Sequence, residues 1–125
     1  MYREKFYKFI DNAKLLNKKY EIVPLLYGSL GLEILTSSDL NSDDIDILIP
    51  EKYLSGNDWL DFKSFLENYD YKLIDLHEHT FIKHNIEYSY AGIESLESYA
   101  GIKIYEIKNY NYFSTKYRLL SLKQY

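Results

Sequence analysis

The stretch LLYGSLGLEILTSSDLNSDDIDILIP, residues 25–50, sets the organisation of the whole chain. Its first three residues close a short apolar strand that opens at Ile22, with regular pairing expected only after Pro24, which has no N–H to donate to a ladder. Gly28-Ser29 ends that strand. Leu30, Ile34 and Leu35, with the small Gly31, suit a short helix, and TSSDLNSD after it is a polar connection rich in turn formers. From residue 44 to residue 49 an acid alternates with isoleucine until Pro50 stops the run, which is a strand of period two. Asp43 falls on the opposite face from Asp44 and reads as a turn residue.

Residues two apart on a strand share a face, so Asp44 and Asp46 project together while Ile45, Ile47 and Ile49 project to the other side. Two neighbouring carboxylates each raise the cost of ionising the other unless a cation lies between them. Mg²⁺ is the cation that chemistry suits, because it needs only one or two carboxylates and completes its shell with water and substrate phosphate. The Gly-Ser turn follows the same logic. Glycine lets a phosphate approach the backbone, the serine hydroxyl and nearby N–H groups donate to it, and a following helix presents its positive end.

Outward from this stretch, Tyr2, Phe6, Phe9, Ile10, Ala13 and Leu16 recur at helical spacing with lysines opposite, so residues 2–20 are expected to form an amphipathic helix covering a sheet. Gly56-Asn57 reads as a loop and N-cap for a helix over residues 58–69, with Trp59, Phe62, Phe65 and Leu66 inward. Runs at 71–76, 80–83 and 86–90 read as an antiparallel meander, with His84-Asn85 as the tight turn between the last two. Residues 93–99 suit a short helix closed by Gly101. KNYNYFSTKY is weakly patterned and reads as loop, and YRLLSLKQY begins one more apolar run, either a capping helical turn or part of a longer segment.

Composition narrows the function classes. The 125 residues fit a single domain, 1–125, and 46% hydrophobic with 27% charged residues is the profile of a folded protein. A net charge of -4 argues against broad capture of nucleic acid or of an anionic membrane surface, since both need a clustered positive face. The absence of cysteine excludes disulfides, zinc-thiolate centres and thiol nucleophiles. The N-terminal apolar pattern is interrupted by charges throughout and reads as neither signal peptide nor anchor, so a cytoplasmic location and no membrane partner are expected by default. The 15 tyrosines match the codon bias of an AT-rich genome and carry no chemistry by their number alone.

The apolar strand ending in Gly28-Ser29, the short helix and the Asp44-Ile45-Asp46 strand together resemble the polymerase-beta-like nucleotidyltransferase superfamily, including its minimal and antibiotic-modifying branches. LLYGSLGLE and DDIDILIP also look much like the corresponding segments of small bacterial proteins of that fold, and the resemblance covers about residues 22–91. It implies an α+β fold, a mixed and mostly antiparallel sheet flanked by helices. It implies an NTP and a hydroxyl acceptor, a small molecule or a protein, as partners, and Mg²⁺ or Mn²⁺ as cofactor. Carried over residue by residue, Asp44 and Asp46 are metal ligands and Gly28 and Ser29 hold the nucleotide's phosphates. The third acid of the family, a metal ligand that completes the site and helps deprotonate the acceptor hydroxyl, fits Glu87, because Ile86, Tyr88 and Tyr90 would face the core and Glu87 and Ser89 the site; Asp75 is the second choice. Gly31 and Leu32 stand where many members have alanine and arginine, and acidic Glu33 follows.

Two rival readings accompany this one. In the first, the fold persists without transfer activity and binds a nucleotide or a protein. In the second, the acids are structural and a tyrosine-rich edge makes the chain a homo-oligomeric scaffold. His77-Glu78-His79 reads as a polar strand end rather than a metal site, and Lys52 as a surface lysine.

Overall fold

A computed structural model describes residues 2–37 and 44–125; most of the polar connection, Asp43 with it, lies outside the described residues. The chain runs α1 (Tyr2–Tyr20), β1 (Leu25–Tyr27), α2 (Gly28–Thr36), β2 (Asp44–Ile49), α3 (Gly56–Glu67), β3 (Lys72–Asp75), β4 (Thr80–Lys83), β5 (Ile86–Gly92), α4 (Ser95–Ala100), β6 (Lys108–Tyr112) and β7 (Thr115–Leu119). Seven strands form one open sheet in the order β3-β4-β5-β2-β1-β7-β6. The β2–β5 and β1–β7 pairs are parallel and the other four antiparallel, so the fold is mixed α and β with a mostly antiparallel sheet. No helix among the described residues is long and apolar enough to cross a membrane.

Period two explains why this sheet has two unlike faces. Ile45, Ile47 and Ile49 of β2, Leu26 of β1 and Tyr88 and Tyr90 of β5 point to a face covered by α1, α2 and α3, where Phe9, Leu16, Leu30, Phe62 and Leu66 complete the main core. The opposite face holds a smaller cluster of Leu25, Leu48, Ile93, Leu96, Ile102, Ile107 and Leu120. On that second face β2 begins with the acids and turns apolar at Leu48, where α4 begins to cover it.

The expected helix over residues 2–20, the strand at 44–49 and the meander at 71–90 all form, with boundaries shifted by a few residues. Regular pairing of β1 does start after Pro24. α3 begins at Gly56 rather than Asp58, because Ser55 in extended backbone precedes it. β5 runs on to Gly92, held beside β2 through Ile49, and this delays α4 to Ser95; Gly101 ends it in the left-handed region at φ 68°.

The larger correction lies at the C-terminal end. KNYNYFSTKY is a β-hairpin, not a loop: β6 and β7 pair in register from Lys108 opposite Leu119 to Tyr112 opposite Thr115. Its two-residue turn, Phe113-Ser114, has both φ angles positive, 46° and 71°, the geometry that matches strand twist. Such turns ordinarily announce themselves with Asn-Gly or Asp-Gly, and this one does not. The start of YRLLSLKQY is likewise strand, part of β7 inside the sheet against β1, and only Leu122–Gln124 make a 3₁₀ turn.

Candidate functional site

The acids sit where the second face of the sheet is uncovered. Antiparallel pairing of β1 with β2 places Tyr27 opposite Asp46, and parallel pairing of β2 with β5 places Glu87 beside Asp44 and Ser89 beside Asp46. By the same alternation all five side chains rise from one face. The Ser89 hydroxyl is tied to Thr80 of β4 at 2.8 Å, which fixes the polar floor next to Asp46. The sequence-expected set of Asp44, Asp46 and Glu87 is thus brought to adjacent positions on neighbouring strands.

Gly28 joins the two halves of the motif. Its φ is 67°, where a side chain is strained, and a Cβ built on it would run into a carboxylate oxygen of Asp46. The Gly-Ser turn therefore lies directly against the Asp-Ile-Asp strand. α2 starts at this glycine with Tyr27 at its N-cap position making no side-chain cap hydrogen bond and no acid in the first turn, so none of these covers the first N–H groups. Burial first, and then the charge of Asp44, push the Asp46 carboxyl above the usual carboxylate range. A carboxyl held in that state is stabilised by any cation that reaches it.

The donor set fits Mg²⁺ or Mn²⁺ in the open mode, in which two carboxylates hold the ion and water and phosphate oxygens complete it. Among the described residues no group of three or more His, Cys, Asp or Glu side chains, the expected Asp44, Asp46 and Glu87 included, is placed to hold a metal ion. Glu87 flanks Asp44 in register on β5. Asp75 is placed otherwise: it lies on edge strand β3, two strands removed from β2, and its Oδ1 accepts the Glu78 N–H at 3.1 Å. His77 and Glu78 are exposed in the β3–β4 turn, 3.8 Å apart, while His79 packs edge-on against Trp59 at 4.8 Å between ring centres. Lys52 sits on the surface with its ammonium over the Tyr53 ring.

Sequence reading missed the aromatic surround. Tyr125 lays its ring parallel to that of Tyr27, 6.0 Å between centres, and its hydroxyl makes a long 3.4 Å donation to the Gly28 carbonyl. Gly31 makes room for it, since a Cβ there would overlap the Tyr125 oxygen and come within 2.9 Å of the Leu26 carbonyl. Burial, with the Tyr27 hydroxyl second, pushes the Tyr125 phenol up to about 12. Gly31 in place of the alanine common in the resembling family was the one available signal. Leu32 offers no charge to a phosphate, and Glu33 beside it is buried.

Among proteins of known sequence, the chain is 41% identical over 118 residues to the uncharacterized protein YnaI of Bacillus subtilis (strain 168), a match spanning 94% of this chain and 75% of that one. No family model and no solved structure matches.

Proposed function

The chain belongs to the family of Bacillus subtilis YnaI, and we propose that it is a metal-dependent nucleotidyltransferase of the polymerase-beta-like fold, moving NMP from an NTP to a hydroxyl acceptor. The observation that carries this reading is how near Gly28 lies to the Asp46 carboxylate, close enough that a Cβ on the glycine would run into it, which unites a phosphate-type turn with an acid 18 residues away in sequence. Neither half is specific alone. Joined on the open face of a sheet, they bring an anion-binding backbone and a cation-binding carboxylate pair to one point.

In this reading Asp44 and Asp46 hold Mg²⁺ or Mn²⁺, and the backbone and hydroxyl of Gly28-Ser29 donate to the β- and γ-phosphates. The bound ion supplies charge neutralisation at the triphosphate and a lower pKa for the acceptor hydroxyl. Glu87 accepts the proton of that hydroxyl. The acceptor oxygen bonds to the α-phosphorus as the bond to the bridging oxygen of the β-phosphate breaks, and pyrophosphate leaves.

Thermal unfolding of wild type and Asp46→Asn with each NTP, with and without Mg²⁺ or Mn²⁺, tests the assignment. At about a hundredfold excess over its Kd, a nucleotide should stabilise wild type by roughly 2.7 kcal/mol and the variant not at all. Equal stabilisation of the two proteins would remove Asp46 from the site, and release of pyrophosphate with an acceptor present would establish transfer.

One observation favours the alternative, a nucleotide- or protein-binding module without chemistry: Leu32 stands where a phosphate-facing base is common in the resembling family. Metal-dependent nucleotide binding with no pyrophosphate from any acceptor would select it.

A further inference from the structure

Beside the acids, on the same face, lies a cleft of about 410 Å³, within the size range of small-molecule sites. Tyr27, Asp46 and Leu48 of the sheet, Leu96 and Tyr99 of α4 and Glu78 of the β3–β4 turn are among the residues that line it. Its surface is mostly apolar. Two carboxylates line it and no lysine, arginine or histidine does, among the described residues.

That charge balance decides what it can hold. Away from a metal at Asp46, a polyphosphate or an RNA end would face Glu78 with no basic side chain of the lining to offset it, which disfavours the body of the cleft as the seat of the triphosphate. An ammonium group would gain from Glu78, from Asp46 when no metal neutralises it, and from the faces of exposed tyrosines. Tyr99 lines the cleft and is 91% exposed, the kind of ring that an apolar ligand covers. Glu78 lines the cleft from an exposed position, with the His77 ring 3.8 Å from its carboxylate and the Asp75 carboxylate accepting its backbone N–H at 3.1 Å.

We infer that the acceptor is a small cationic amphiphile carrying a hydroxyl group, its apolar body held between Tyr27, Leu48, Leu96 and Tyr99 and its ammonium group directed to Glu78. The word acceptor rests on the transfer chemistry proposed above; the preference for a positive charge rests on the cleft alone. The hydroxyl of a ligand seated this way lies beside Asp46, where the α-phosphorus would be presented.

The test uses two probes with one dansyl fluorophore, dansylcadaverine with an ammonium end and dansylglycine with a carboxylate end, titrated without nucleotide. Wild type should bind the ammonium probe at least about tenfold more tightly. Glu78→Gln, at an exposed position that leaves folding intact, should remove most of that preference, and Tyr99→Ala should weaken both probes alike. Equal affinities, tighter binding of the carboxylate probe, no binding of either, or a preference untouched by Glu78→Gln would each overturn the inference. The nucleotide-dependent thermal shift, measured on the same samples, keeps the two proposals apart: its absence with the charge preference intact defeats transfer and leaves the cleft, and its presence with no preference does the reverse.

Discussion

The two faces of the sheet use the same strands for opposite purposes. On the covered face, side chains from three helices meet Ile45, Ile47, Ile49, Tyr88 and Tyr90 in a dense aromatic and aliphatic core, with Phe62 against Tyr90 at 5.2 Å and Phe81 against the same ring at 5.8 Å. On the other face the intervening residues of β2 and β5 are Asp44, Asp46, Glu87 and Ser89, left uncovered until α4 arrives over Leu48. The contrast separates stability from site. The neighbouring acids Asp44 and Asp46, and the close approach of Gly28 to Asp46, fall on the face that holds the smaller of the two apolar clusters.

Substitutions on each face should separate accordingly. Phe62→Ala empties a fully buried ring from the covered face and should cost about 3–5 kcal/mol of stability, seen as a lowered denaturation midpoint. Its folded fraction should keep the wild-type affinity for metal and nucleotide, and an affinity change would couple the faces. Next in size, Gly28→Ala forces a side chain into the left-handed region and against Asp46, for about 1–2 kcal/mol by chemical denaturation. Unlike Phe62→Ala, it should also abolish the nucleotide shift.

Asp46→Asn should move the other way. Because burial and Asp44 raise its carboxyl in the folded state, the fold binds that proton more tightly than the unfolded chain does. This contribution is fully present below the ordinary carboxylate pKa and is lost as pH rises through the raised value. Without metal at neutral pH the variant should therefore be more stable by roughly 1 kcal/mol or less, given that the group is only partly buried, and less sensitive to pH across the acid range. A destabilised variant would mean that Asp46 already has a favourable partner. Lys52→Gln, on the surface and away from the acids, should change stability by no more than about 0.5 kcal/mol and leave nucleotide binding as it was.

Legibility in the sequence followed how local each signal was. Alternation over residues 44–49 was enough to place Asp44 and Asp46 on one face, and the same rule applied to residues 86–90 put Glu87 and Ser89 on the site side before their parallel register with β2 was in view. The β4–β5 turn was readable because His84-Asn85 includes a residue that tolerates positive φ, and both angles are indeed positive, 52° and 63°. Phe113-Ser114 adopts the same geometry without such a residue, so tertiary pairing and not local preference sets it, and the hairpin went unseen. Tyr125 over Gly31 was beyond reach for a different reason: nothing local ties residues 94 positions apart, and only the docked tail shows why the glycine is there.

The position of β7 has a consequence for how the molecule is made. β1 is laid down within the first 27 residues, yet its outer edge is filled by Arg118 and Leu119, which pair with Leu25 and Leu26. A chain emerging from the ribosome must carry that edge bare, with two leucines on it, until Arg118 and Leu119 have been synthesised. Closing so long a loop comes late in folding. Translation products arrested before β7 should accordingly aggregate more readily than the chain that includes it.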